Sequence, residues 1–324
     1  MSANLLGYIV KRLLLMIPTL LGILLVTFTL VQFVPGGPVE QMVQMLKGDH
    51  SATGIAVPGG SAAGDVGQAS GVYRGRVGVD PQKLEEIKAL YGFDKPATER
   101  FVDMVIGFAS FDLGTSFFYN RSVWELIVEK LPVSASLGLW SFLLTYLVSI
   151  PLGISKAVRH GSSFDLYTSL AILIGYAIPG FVLGVIMLVF FGGGSFLQIF
   201  PLRGLTSDDF EQLSLIGKVL DYFWHLALPL TCLVIGSFAV ITMLTKNTML
   251  EEIRRQYVLT ARAKGLDEQV VLWRHVLRNA LIPIVTGFPA AFVAAFFTGS
   301  LLIETLFSLD GLGLLSYEAV MKRD

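Results

Sequence analysis

Lys11-Arg12-Leu13-Leu14-Leu15-Met16-Ile17-Pro18-Thr19-Leu20-Leu21-Gly22-Ile23-Leu24-Leu25-Val26-Thr27-Phe28-Thr29-Leu30-Val31-Gln32-Phe33-Val34 is an apolar run opened by two cations. A helix needs about 20 apolar residues to cross a hydrocarbon core, whereas a signal-peptide core spans only about 7–15. No small-residue cleavage site follows, so the run predicts a retained first membrane helix over Ile9–Val34. Val133–Ser155, Leu166–Phe191, Phe223–Leu244 and Leu281–Phe307 meet the same length criterion. An all-α polytopic membrane protein with five spans is therefore expected. Composition agrees: 53% of residues are hydrophobic and 15% charged, against about 25% charged in soluble domains. Mean hydropathy is +0.67.

Charge in the short loops predicts orientation. Lys11 and Arg12 precede the first span, and Lys156 and Arg159 separate the second from the third. Lys246, Arg254, Arg255, Arg262, Lys264, Arg274 and Arg278 fall between the fourth and fifth. All three regions share one side if the spans alternate, whereas Gly192–Tyr222 on the other side holds only Arg203 and Lys218. The N-terminus is thus expected to be cytoplasmic. A net charge of −1 argues against nucleic acid as a partner. One cysteine, Cys232, and four scattered histidines at no ligand spacing give no basis for a disulfide or a metal site.

The segment 35–132 divides in two. Gly48–Gly78 is dominated by glycine, alanine, serine and valine and predicts a flexible loop. Asp80-Pro81 then opens a helical pattern with Leu84, Ile87, Leu90 and Tyr91 on one face, the start of a small extracytoplasmic cap.

Gln256-Tyr257-Val258-Leu259-Thr260-Ala261-Arg262-Ala263-Lys264-Gly265 lies on the cytoplasmic side. Its small residues permit close helix packing, and Gly265 is placed to end a short helix. Asp267 can cap a second helix, which presents Arg274 and Arg278 four residues apart. By charge alone this is also an ordinary basic loop facing anionic headgroups.

Thr260-Ala261-Arg262-Ala263-Lys264-Gly265, followed by Arg278-Asn279-Ala280 and Pro283, resembles the EAA-type loop of binding-protein-dependent ABC importer permeases of the oligopeptide/dipeptide branch. The family's usual glutamate is replaced by Thr260. Further motifs follow in family order: Lys11-Arg12-Leu13-Leu14 with Ile17-Pro18-Thr19, Val34-Pro35-Gly36-Gly37-Pro38, and Leu131-Pro132-Val133-Ser134. Phe297-Thr298-Gly299-Ser300, Glu304-Thr305-Leu306-Phe307-Ser308 and Gly311-Leu312-Gly313 complete the series. The resemblance implies a type I importer transmembrane domain, with a sixth helix expected beyond Asp324. It divides the chain into a first helix (1–34), an extracytoplasmic loop and cap (35–132), a core with coupling loop 246–280 (133–307) and a last extracytoplasmic segment (308–324).

What the resemblance implies about function is a permease subunit in the bacterial inner membrane, without catalysis or cofactor of its own. Expected partners are a second, homologous permease, ABC ATPase domains (separate or fused in pairs) that bind ATP and Mg, a periplasmic binding protein and a peptide substrate. Thr260, Ala261, Arg262, Ala263, Lys264 and Gly265, with Arg274 and Arg278, are then the ATPase-coupling residues. Dipeptide and nickel permeases share the same scaffold.

Two residues are pathway candidates. Glu304 is a carboxylate near a span end, able to line a path or to reach water. Pro179, like Pro229, Pro283 and Pro289, is open to two readings, hinge or packing kink. Trp224 and His225 read as interfacial anchors. The sequence has no phosphate-binding G-x-x-x-x-G-K-[ST] loop. A secondary transporter is the competing class; it would be expected to carry ionisable residues in mid-span, and these spans are almost free of them.

Overall fold

The computed structural model describes residues 2–33, 95–116, 118–192, 196–297, 299–322 and 324. The Gly48–Gly78 stretch, the helix start at Asp80-Pro81 and the Val34–Pro38 motif lie outside the described residues. The chain forms two compact units, residues 1–124 with 319–324, and residues 125–318.

In the first unit, α1 (Ser2–Phe33) leaves most of its described apolar side chains between Leu6 and Leu30 exposed. The hydroxyls of Thr19 and Thr29 donate back to the carbonyls of Leu15 and Leu25 at 2.9 and 2.7 Å. Their polar groups are thereby satisfied within the helix, as a membrane requires. Phe28 meets Phe101 of α2 (Ala97–Ala109) edge to face at 5.4 Å. A two-residue ladder, β1 (Thr115–Ser116) against β2 (Arg121–Ser122), ends the N-terminal part of this unit. The Asp324 carboxylate accepts from the Ser116 hydroxyl, and Lys322 Nζ lies 4.0 Å from the centre of the Phe118 ring.

The second unit holds α3 (Val123–Val158), α4 (Ser163–Ala177), α5 (Gly180–Met187) and α6 (Leu215–Ile253). The segment after α6 folds as α7 (Gln256–Ala263), α8 (Glu268–Val270) and, after a wider π turn over Val271–Val276, α9 (Leu277–Ala280). Then follow α10 (Ile282–Phe297), α11 (Leu301–Leu306) and α12 (Leu312–Lys322). The last segment, 308–324, is thus largely helical, although the 11 residues of α12 are too few to span.

Among the described residues, four stretches are long and apolar enough to cross a membrane, and a fifth only if two bent helices count as one. Here the expected span Leu166–Phe191 needs correction: it is two helices, α4 and α5 with its π turn, meeting at 90°. Pro179 supplies no N–H to continue α4, and Ile178 before it is extended at φ −88° and ψ 118°. Other boundaries move outward: α1 starts at Ser2 instead of Ile9, α3 runs Val123–Val158 instead of Val133–Ser155, and α6 runs Leu215–Ile253 instead of Phe223–Leu244.

Two cores sit along α6, which is long enough at 39 residues to carry both. Leu226, Leu228, Leu230 and Cys232 pack with Leu137 of α3, Leu183 of α5, and Ile303, Phe307 and Leu309. Farther along, Met249 packs with Ile154 and Ala157 of α3, Val258 and Ala261 of α7, and Val271, Val276 and Ala280.

Candidate coupling site

The chain leaves α7 through paired backbone bonds, Gly265 N–H to the Arg262 carbonyl at 2.9 Å and Leu266 N–H to the Ala261 carbonyl at 3.4 Å. This closure needs a left-handed residue between them, and Gly265 has φ +80°. Asp267 then accepts the Gln269 N–H at 3.0 Å and caps α8. Across the turn Arg262 Nε donates to Glu268 Oε2 at 3.0 Å, which raises the guanidinium pKa further. The helix–turn–helix expected from the small residues and Gly265 is therefore present.

One face of this element is anchored. Val258 is fully buried and Ala261 is 7% exposed, both against the C-terminal ends of α3 and α6. Tyr257 Oη donates to Glu252 Oε2 at 2.5 Å, and burial, with that carboxylate beside it, pushes the phenol pKa up. The other face is open: Thr260, Arg262, Ala263, Lys264 and Gly265 are exposed. Arg274 and Arg278 are exposed as well, but they line a separate hollow. The eight expected coupling residues thus divide into one buried alanine, five residues on an open surface and two arginines elsewhere.

Next to the core around Met249 lies a cluster that the loop-charge count conceals. Lys156 and Lys246 were expected as loop cations; both are helical and buried. Lys246 Nζ reaches the two oxygens of Asp165 at 2.7 and 2.8 Å. Lys156 Nζ is 3.1 Å from Asp165 Oδ1 and donates to Thr168 Oγ1 and Ser169 Oγ at 2.7 Å each. The carboxylate also receives the Gly161 N–H at 3.2 Å. Three helices, α3, α4 and α6, are tied at one point. A sequence signal exists: Asp165 is the only acidic residue between Glu129 and Asp208.

Of the pathway candidates, Glu304 is completely buried by its own chain. Oε1 accepts from Ser134 Oγ at 3.1 Å and Ser300 N–H at 3.2 Å, and Oε2 accepts from Leu314 N–H at 2.8 Å. A Cβ on Gly299, Gly311 or Gly313 would fall within 3.0 Å of the carboxylate. The lining role needs correction: the side chain anchors α11 and the loop before α12, and faces no open space. His225 likewise is no interfacial anchor, since it is buried with Nδ1 2.8 Å from the Asp221 carbonyl. Trp224 is partly exposed and donates to the Ile199 carbonyl at 3.0 Å. Pro179 is exposed at the break, beside an open trough of about 460 Å³ whose lining includes Tyr176, Gly180, Gly236, Ser237 and Ser300.

Comparison with known proteins places this geometry. The profile of the family described as "Binding-protein-dependent transport system inner membrane component" matches residues 149–324, which include the Gln256–Ala280 element, the ion cluster and Glu304 with its Ser300 and Leu314 donors. The "Peptidoglycan transport system permease protein YejB" of Agrobacterium fabrum is 52% identical over 322 residues, covering 98% of this chain and 88% of that protein. The "Inner membrane ABC transporter permease protein YejB" of Escherichia coli O157:H7 is 52% identical over 324 residues, 98% of this chain and 89% of that one. The "Di/tripeptide transport system permease protein DppB" of Pseudomonas aeruginosa is 32% identical over 330 residues, again 98% and 89%. The chain belongs to the family of inner membrane components of binding-protein-dependent transport systems.

Proposed function

We propose that the chain is one permease subunit of an ATP-driven importer of short peptides, paired with a second permease and driven by separate ATPase domains. The observation that carries this reading is the two-faced element Gln256–Ala280, buried through Val258, Ala261, Val271 and Val276 and open at Thr260 and Ala263. A segment whose inner face is packed on two membrane helices moves with them, so a partner gripping the open face can drive the spans. ATP and Mg belong to that partner. The peptide substrate follows from the relatives, of which one is named for di- and tripeptides and another for peptidoglycan transport. The trough beside Tyr176 and Ser237 supports a path at the break, where irregular backbone at membrane depth borders a cavity. The N-terminus is assigned to the cytoplasm by the loop charges.

Reconstitution of the chain with its partner subunits in proteoliposomes tests the reading. Labelled tripeptide should accumulate only with ATP and binding protein present. Accumulation driven by an ion gradient without ATP would overturn it in favour of a secondary transporter.

A further inference from the structure

Arg274 and Arg278 line one hollow of about 530 Å³ together with Tyr257, His275, Asn279 and Ile282. Ile282 is the first residue of α10, so the hollow lies where the chain passes from the cytoplasmic element into an apolar span. Both guanidiniums are exposed, and among the described residues neither takes part in an ion pair. Among the described residues, the one carboxylate bonded to a residue of the hollow, Glu252, is engaged by Tyr257 Oη at 2.5 Å and faces Arg255 Nε at 3.6 Å. Asn279 Nδ2 donates to the His275 carbonyl at 3.3 Å, which fixes that wall. Beside Arg274, Trp273 is 58% exposed, an aromatic of the kind that settles at a membrane–water boundary. Below the hollow, Ile282 and Val285 expose apolar surface along α10.

We propose that this hollow binds the phosphate of an anionic phospholipid of the cytoplasmic leaflet. Two guanidiniums with fixed forks suit a phosphate anion, and the apolar start of α10 suits the acyl chains that follow it. A soluble phosphate offers the same headgroup chemistry but gains nothing from Ile282 and Val285. The bound lipid would sit opposite Val271, Val276 and Ala280, which lock the same segment into the cytoplasmic core. It would therefore brace the elbow between the coupling element and α10. This inference rests on the membrane reading and does not depend on the substrate.

Fluorescence quenching of Trp273 in nanodiscs provides the test, using the full chain and subtracting the signal of Trp273→Phe. Brominated phosphatidylglycerol should quench more than brominated phosphatidylcholine at equal mole fraction. The pair Arg274→Gln and Arg278→Gln should lose that excess and leave phosphatidylcholine quenching unchanged. The pair Arg274→Lys and Arg278→Lys should retain part of it, and millimolar inorganic phosphate should not displace it. Equal quenching by the two lipids in the wild type, or an excess that survives the glutamine pair, overturns the proposal. Displacement by inorganic phosphate overturns it in favour of a soluble anion. Glutamine variants that keep the lipid excess but lose hold of the ATPase subunit overturn it in favour of a protein contact.

Discussion

Lys246 of α6 and Asp165 of α4 meet through both carboxylate oxygens, and Lys156 of α3 approaches the same carboxylate from a fully buried position. The stoichiometry is unequal, with two ammonium groups on one carboxylate. Asp165 is thus the group whose loss leaves the most uncompensated charge. Asp165→Asn should destabilise the folded chain by about 3–5 kcal/mol, the usual cost of stripping a buried charge of its partner. Lys246→Met should cost less, because Lys156 remains on Asp165. Thermal unfolding in detergent orders the two variants, and equal losses would show that the pairing is not shared as the distances indicate.

Glu304 supplies the second prediction. Its oxygens take donors only, from Ser134, Ser300 and Leu314, so an amide at this position must turn one N–H₂ toward a donor. Glu304→Gln should cost about 1–3 kcal/mol, the penalty for a buried group left without its partner. Gly311→Ala should be worse, since its Cβ would press on the carboxylate itself. A Glu304→Gln chain with unchanged thermal stability but altered peptide uptake would restore a pathway role.

Close backbone approach gives the third. A Cβ on Gly138 of α3 would overlap the Ala295 carbonyl of α10, whereas a Cβ on Gly287 of the same α10 meets nothing within 4 Å. Small residues at such crossings let membrane helices approach closely, and the backbone cannot easily retreat. Gly138→Ala should lower the melting temperature and the yield of folded chain, and Gly287→Ala should be silent in both.

The parts of this fold that were legible in sequence are those set by local rules. Span length placed α1, α3 and α6, and the spacing of Gly265 and Asp267 gave the turn between α7 and α8 with its caps. The break at Pro179 escaped because proline is tolerated within membrane helices; Pro229 and Pro289 both lie inside unbroken ones. Whether a proline kinks or ends a helix depends on what neighbours supply to the freed backbone. Lys156 and Lys246 were misplaced for a related reason: a lysine near a span end reads as a loop cation until its carboxylate, 9 and 81 residues away, is seen to pack against it. Glu304 escaped because its carboxylate is closed in by Ser134 of α3, 170 residues away, and by the Leu314 N–H and three glycines, which come round it only when the chain folds back after α11.

The coupling element yields the last prediction, and its two faces decide how the test must be built. Ala261 is buried against Met249 and Val258, so a bulky charge there disrupts the core as well as any docking surface. Loss of uptake in Ala261→Arg would therefore not identify a contact with an ATPase. Ala263 and Lys264 are exposed on the same helix end and carry no packing role. Ala263→Arg combined with Lys264→Glu should leave thermal unfolding unchanged and lower ATP-coupled peptide uptake by at least about tenfold, equivalent to roughly 1.4 kcal/mol of lost coupling. Ala261→Arg should lower stability and uptake together. Uptake that survives the exposed pair, with the protein folded and its partners present, would place force transfer somewhere other than α7.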